Sequence, residues 1–213
     1  AKKYHDKYRN YVLGSKWLQK TFEYYDPNVN TFFWQWGTNT DFWKPSINSN
    51  EKKGCFIYSK RRNNKEINKL QDICHKLGIV NTQIKYGYYS IDNLKKACNN
   101  HRFCIVASRQ ESNPNFLLEI LSMNTPCLVL DWNNHWLPEL KGKIEVSTAT
   151  EWDQSFGHKI KPLNNTYDLN SILLAIEDLN KNYSAYNPRY IIEKKYNLVS
   201  GAKNYINILE KVL

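Results

Sequence analysis

The chain has 213 residues, 41% of them hydrophobic and 23% charged, enough to bury a core in one large domain or a domain with an appendage. No apolar run approaches the ~20 residues that a membrane-crossing helix needs, and the charged start lacks the apolar segment of a signal peptide. A formal charge of +10 points to a polyanionic partner, either nucleic acid or a phosphorylated small molecule, although runs such as "SKRRNNK" also serve as solvated surface.

Taken in chain order, the first stretch opens in mid-pattern without an initiator Met, and we expect a piece of a longer polypeptide. "NYVLGSKWLQKTFEYY" (10–25) reads as a helix and "TFFWQWG" (31–37) as a strand, with a connection ending at Pro45. Residues 46–53, "SINSNEKK", are the one plausible hinge. From there short apolar runs alternate with helical patterns. The strands are "CFIYS" (55–59), "TQIKYG" (82–87), "FCIVAS" (103–108), "PCLVLDW" (126–132) and "KIEVS" (143–147). Between the first two, "NKEINKLQDICHKLG" places apolar residues at 67, 70, 73, 74 and 77 and stops at Gly78, as a helix does. "SIDNLKKACNN" opens with Ser90 as N-cap. The tail carries three more helical patterns, "DLNSILLAIEDLNKN", "PRYIIEKKYN" and "GAKNYINILEKVL". Near-continuous apolar strands alternating with helices predict a doubly wound α/β domain with a parallel sheet. The division we expect is 1–45 as the end of a preceding domain or linker, 46–167 as a Rossmann-like domain, and 168–213 as helices packing on it or crossing back from it.

Five cysteines (55, 74, 98, 104, 127) form an odd set without a CxxC pair, three of them in strand-like runs. They read as reduced, structural thiols of a cytoplasmic protein. The five histidines have no metal-ligand spacing, so neither a metal nor another cofactor is expected. His135, flanked by Trp132 and Trp136, is the one placed near a strand end. The aromatic cluster "FFWQWGTNTDFW" reads as packing around a crossover between domains rather than as a stacking platform.

The segment that carries chemistry is "SRQESNPNFLLEILSMNTPCLVLDW" (108–132). In a parallel sheet, ligands bind outside the carboxyl ends of the strands, and strand 103–108 delivers the chain to that rim. Asn113 followed by Pro114 is a helix-start signal, which turns free N–H groups towards the rim as an anion site. Glu111 stands in the loop, and Glu119 about a turn and a half into the helix. Carboxylates suit hydroxyl groups on either side of a diphosphate better than the diphosphate itself. A sugar nucleotide has that layout.

Here the residues resemble a family. Glu111 and Glu119 enclose seven residues, and "ASRQESNPNFLLEILSMNTPCLVLD" is similar to the E-x7-E segment of retaining GT-B glycosyltransferases of the family 4, or group 1, type. Three further blocks agree in order. "WGTNTDFWKP" (36–45) resembles the family's entry into its C-terminal domain, "IYSKRRNNK" (57–65) its strand followed by basic residues, and "IKYGYYSIDNLKKACNNHRFCIVAS" the approach to the glutamate loop. The tail "RYIIEKKYNLVSGAKNYINIL" is similar to the family's last helix. The resemblance implies the C-terminal, donor-binding half of a GT-B fold, a nucleotide sugar (UDP- or GDP-linked) as substrate, a glycan or other hydroxyl acceptor, and transfer with retention. It further implies that Glu119 holds the donor's ribose and Glu111 meets the donor sugar. Lys60 and Lys65 meet the diphosphate, with Arg61 as a rival for the first place. Gly87 and Tyr88 lie by the base, Ser108 and Ser112 line the loops, and the amides of Asn115 and Phe116 face phosphate. A missing N-terminal Rossmann-like domain is the implied partner.

The sequence departs from the family pattern in several places. Pro114 stands where the family has Gly, Asn124-Thr125-Pro126 replaces Gly-Thr-Pro, Asn133-Asn134 occupies the place of a Gly pair, and Lys60 replaces Arg. Two other readings compete: a sugar-nucleotide epimerase of the same architecture, and a basic nucleic-acid-binding module. The latter lacks any helix-turn-helix, zinc or RRM signature, and its basic residues are spread through the chain, so no nucleic acid is expected.

Overall fold

The computed structural model describes residues 8–46 and 52–213. Most of the expected hinge, 47–51, lies outside the described residues, as do residues 1–7. Among the described residues, two parallel sheets make up the strand content. Strands β1 (Asn10–Leu13) and β2 (Asn30–Phe33) pair with each other, in register from Asn10 opposite Asn30 to Leu13 opposite Phe33. Strands β3 (Cys55–Lys60), β4 (Asn81–Lys85), β5 (Phe103–Ser108), β6 (Cys127–Leu130) and β7 (Gly157–Ile160) form the larger sheet in the order β4-β3-β5-β6-β7, all parallel.

Among the described residues, seven α-helices join them: α1 (Lys16–Tyr25), α2 (Asn64–Lys76), α3 (Ile91–Asn100), α4 (Asn115–Ser122), α5 (Leu169–Asn182), α6 (Pro188–Lys195) and α7 (Leu198–Val212). Their starts follow the local chemistry. Asn63, Ser90, Asp168 and Asn197 each accept a backbone N–H from the first turn, and Ser90 and Asn93 close a reciprocal capping box. Gly78 ends the α2 turn with a φ of +67°, the left-handed geometry that glycine adopts without cost. The three central strands are buried on both faces, as their apolar runs predict. One core joins them to α3, α4 and α6, and a second, on the opposite face, joins them to α2 and α5. All five thiols are free and buried in these layers.

Three expectations shift. Residues 10–25 are not one helix: Asn10–Leu13 extend as β1, and Ser15, fully buried, caps α1 through its hydroxyl to the Leu18 N–H. "KIEVS" is not a strand. Ile144 and Val146 pack with Trp17 and Leu140 in a small third cluster, because the loop they sit in is drawn against α1 rather than into the sheet. The fifth strand is Gly157–Ile160, an edge strand of mixed polarity that no alternation in the sequence marks.

The crossover from the small sheet to the large one is held by backbone and one arginine. Arg189 on α6 donates to the carbonyls of Trp43, Ser122 and Thr40 at 2.8, 2.7 and 3.1 Å. Thr38 N–H donates to the Tyr196 carbonyl at 2.7 Å, and Trp34 Nε1 reaches the Gly201 carbonyl at 2.8 Å. Part of the aromatic cluster is thus packing, with Trp43 buried and the Trp34 ring 4.7 Å from Tyr205 on α7, while Trp36 and Phe42 remain exposed. Gly201 and Gly37 permit this contact: a Cβ at Gly201 would lie 2.4 Å from the Gly37 nitrogen, and one at Gly37 would lie 2.2 Å from the Asn197 carbonyl oxygen. Gly201→Ala is therefore expected to lower stability by about 1–3 kcal/mol in urea unfolding, the cost of overpacking a site whose neighbours are main chain. An unchanged midpoint would mean that α7 can slide without penalty.

Candidate functional site

The strand order reverses at β3. From β3 the chain passes through α2 to β4 on one side, and every later strand lies on the other. The loops leaving the C-terminal ends of β3 and β5 therefore diverge to opposite faces and open a crevice, the usual ligand position in an open α/β sheet. Lys60 ends β3 and Ser108 ends β5, opposite each other in register. Glu111 spans the gap. Its Oε2 lies 2.8 Å from Lys60 Nζ, and its Oε1 accepts from the Ser108 hydroxyl at 2.6 Å. The two charged side chains are 13% and 8% exposed. The Glu111 backbone is pinned as well, its N–H donating to the Ser147 carbonyl at 3.0 Å and its carbonyl accepting from Trp17 Nε1 at 3.1 Å. Lys60 Nζ also sits 4.3 Å above the Tyr86 ring.

Tyr58 lies beneath this cluster, stacked on Phe116 with centroids 4.0 Å apart and its hydroxyl 3.5 Å from that of Tyr89. The Glu111 charge bears on Tyr58 and the Glu119 charge on Tyr89. Burial, with these carboxylates adding to it, raises the pKa of both phenols. Glu119 is half-buried on α4 with no hydrogen-bond partner among the described residues, and burial pushes its own pKa up. A carboxylate that is partly desolvated and unmatched is a strong acceptor for hydroxyl groups.

The other predicted residues are distributed around this centre. Arg61 is exposed and held at a φ of +57°, at the mouth of a 230 Å3 depression that Lys60, Lys85 and Tyr86 also line. Lys65 is exposed on the first turn of α2 and does not line that depression. Gly87, at a φ of +81°, has open space where a Cβ would stand, and Tyr88 beside it is 80% exposed. Ser112 is exposed, and its carbonyl would lie 3.0 Å from a Cβ on Gly14, so the β1–α1 turn abuts the glutamate loop.

The helix tip differs from expectation. Asn113 does not cap α4; its Oδ1 accepts from Gln35 Nε2 at 3.2 Å, and Pro114 occupies the cap position without a side-chain bond. The Asn115 N–H is taken by the Asn113 carbonyl at 2.9 Å, and Leu117 and Leu118 both donate to the Pro114 carbonyl. That leaves the Phe116 N–H as the amide open to an anion, one rather than two. Asn124, which stands where the resembled glycosyltransferase pattern has Gly, is at a φ of +52°. Asn is the residue that best tolerates this left-handed conformation.

Sequence reasoning missed the residues that set this geometry. Trp17, Ser147 and Gln35 act through single contacts from distant segments, and no spacing announces them. His135 is 1% exposed, between Trp17 and Trp136. Its Nδ1 accepts the Leu137 N–H at 3.0 Å, so the neutral ring carries its proton on Nε2, which faces the Thr21 hydroxyl at 3.2 Å. His101 is likewise buried, with Nδ1 against the Ala97 carbonyl and Nε2 against the Thr82 hydroxyl. Burial lowers both pKa values. With folded values below those of the unfolded chain, the unfolded state binds protons first as pH falls. Stability is thus complete well above the ordinary histidine range and declines as pH drops from about 7 towards 5. Denaturation midpoints for the protein and for His135→Asn and His101→Asn check this: each variant is expected to flatten part of the slope, and a midpoint rising on acidification would contradict it.

No family model matches the chain, and no curated protein matches it. Solved structures do. Sucrose-phosphate synthase from Thermosynechococcus elongatus superposes with a TM-score of 0.59 at 12% identity, over 95% of this chain and 58% of its own. A variant of S. aureus TarM, solved with fondaparinux, alpha-GlcNAc-glycerol and UDP, gives 0.63 at 14% identity, over 96% and 44%. The lipopolysaccharide outer core galactosyltransferase WaaB gives 0.59 at 14%, over 96% and 62%. The chain thus spans roughly half the length of these structures, and at such identity the likeness is one of fold: a parallel α/β sheet with a C-terminal helix, as in GT-B glycosyltransferases.

Proposed function

We propose that this chain is the donor-binding part of a glycosyltransferase, and that the crevice between β3 and β5 holds a nucleoside diphosphate sugar. The observation that carries the reading is the Lys60–Glu111–Ser108 cluster at the switch point, with the unmatched Glu119 carboxylate beyond the Tyr58–Tyr89 pair. Glu119 takes the ribose hydroxyls, with the base towards Gly87 and Tyr88. Lys60, Arg61 and the Phe116 N–H stabilise negative charge on the diphosphate, and Lys65 on the first turn of α2 adds to their field. Glu111 meets the hydroxyls of the donor sugar, which is transferred to a glycan or other hydroxyl acceptor with its configuration retained. The reading calls on no metal, since fixed cations and an amide balance the leaving group. Fold neighbours that include a galactosyltransferase and a structure containing UDP support it.

The division of the chain fits the same reading. Among the described residues the parallel strands β1 and β2 pair only with each other, a state that parallel strands rarely adopt. On α7, Leu198, Ala202, Tyr205, Ile206, Leu209 and Leu213 fall on one face and are exposed. A second Rossmann-like domain, extending the small sheet and covering this stripe, supplies the acceptor side. The chain of 213 residues is therefore expected to bind donor while transferring little or no sugar by itself.

Calorimetric titration with UDP, GDP and ADP, and with their common sugars, tests the reading. Glu119→Ala is expected to weaken the preferred nucleotide by roughly 1–3 kcal/mol, the cost of hydroxyl hydrogen bonds left unmade. Unchanged affinity would overturn the assignment of Glu119. Saturable binding of random oligonucleotide with steep salt dependence, and none of nucleotide, would favour a nucleic-acid module instead.

A further inference from the structure

A second cavity, of 540 Å3, opens on the opposite face of the sheet from Glu119, between α2, the ends of β5 and β6, and the start of α5. Its size is that of a small-molecule site. Leu70, Ile73, Leu130 and Ile172 form apolar walls, and Trp132 and Tyr167 add flat aromatic faces. Among the described residues three cations line it, Arg62, Lys69 and Lys76, together with the carboxylates Glu66 and Asp72, and Arg62 is the one held by the sheet. The Arg62 side chain is 2% exposed, and all of its hydrogen bonds go to uncharged acceptors: Nε to the Ser108 carbonyl at 3.0 Å, and Nη2 to the Leu130 carbonyl at 2.9 Å and the Tyr167 hydroxyl at 2.6 Å. Its Nη1 makes no hydrogen bond. Its carboxylate partner is Glu66, whose Oε1 stands 4.0 Å from Nη1 on a side chain that is 43% exposed and also lines the cavity. A guanidinium buried to this degree, with one edge unbonded at an apolar cavity, is an incomplete ion-binding arrangement.

We propose that this cavity binds a small organic anion with a flat apolar body and a single carboxylate. The acid lies on Arg62 Nη1, and the body lies against Leu70, Ile73 and the Tyr167 ring. The cavity lies on the α2 side of the sheet, away from the Lys60–Glu111 pair, but Arg62 is shared, since it also lines the 230 Å3 depression beside Lys60 and Arg61. Ligand at this position would bear on the crevice through Arg62, whose Nε bond fixes the Ser108 carbonyl at its edge.

The probe is 2-naphthoate, compared with the isosteric uncharged 2-naphthamide, each titrated into the full chain by calorimetry and by amide NMR. The acid is expected to bind saturably and about tenfold more tightly than the amide, the margin of one charge-assisted hydrogen-bonded pair. Arg62 itself is too buried for a simple deletion, so two peripheral variants carry the test. Leu169→Trp, at the exposed mouth, fills the cavity and is expected to weaken binding at least about tenfold, with the fold unchanged by circular dichroism. Glu66→Gln removes the competing carboxylate and is expected to tighten it by about threefold. Equal affinity for acid and amide, no saturation up to roughly 5 mM, or indifference to Leu169→Trp would each overturn the proposal.

Discussion

Glu111→Ala is expected to lose about 3–5 kcal/mol of folding stability, because it leaves the Lys60 ammonium buried without its partner. The residual exposures of 13% for Lys60 and 8% for Glu111 place the pair below the level at which solvent screens it. The same change strips the Ser108 hydroxyl of its acceptor at 2.6 Å. Glu111→Gln should cost less, since an amide oxygen still accepts from Ser108, and the double variant with Lys60→Met should recover part of the loss by removing the stranded charge. Guanidinium unfolding of the three variants measures this. A loss under about 1 kcal/mol for Glu111→Ala would mean that Lys60 reaches water on its own and that the crevice is more open than its geometry shows.

Arg62→Met should cost about as much, by another route. The guanidinium holds the C-terminal ends of β5 and β6 together through two carbonyls and fixes Tyr167 above them. Hydrogen bonds to a charged donor contribute roughly 1.5–3 kcal/mol, and the carbonyls left behind are buried. Even with methionine filling the volume, the expected loss is about 3–5 kcal/mol, a fall in melting temperature on the order of 10 °C for a chain of this size. Tyr167→Phe should show only the share of one hydroxyl. If Arg62→Met melts within about 3 °C of the parent, the guanidinium is ornamental, and the second cavity loses its ion as well.

What could be read from the sequence divides along physical lines. β3, β5 and β6 were legible because a strand buried on both faces must be apolar throughout. α2 and α3 were legible because their caps and periodicity are local. β7 was not, since an edge strand is specified by its neighbour, and "GHKI" has no pattern of its own. "KIEVS" misled for the converse reason: its alternation is real, but the partner it buries against is α1, far away in sequence. At the site, the loop position of Glu111 and the strand-end position of Lys60 were legible, but their direct pairing was not, since the sequence reading gave them separate partners, the donor sugar and the diphosphate. Nor was the loss of the Asn113 cap, because it depends on Gln35 arriving from the small sheet. Lys65 stands at the expected interval after Lys60, and its side chain is exposed on the first turn of α2, outside the depression that Arg61 lines.

The most direct test of the account is an amide NMR titration of the chain with UDP and with GDP, following residues 60–65, 86–90 and 108–119. Saturable shifts confined to these three segments, largest at the Phe116 amide and reduced in Glu119→Ala, are expected. Saturable shifts centred on any other face, or none with either nucleotide at millimolar concentration, would contradict the proposed donor site.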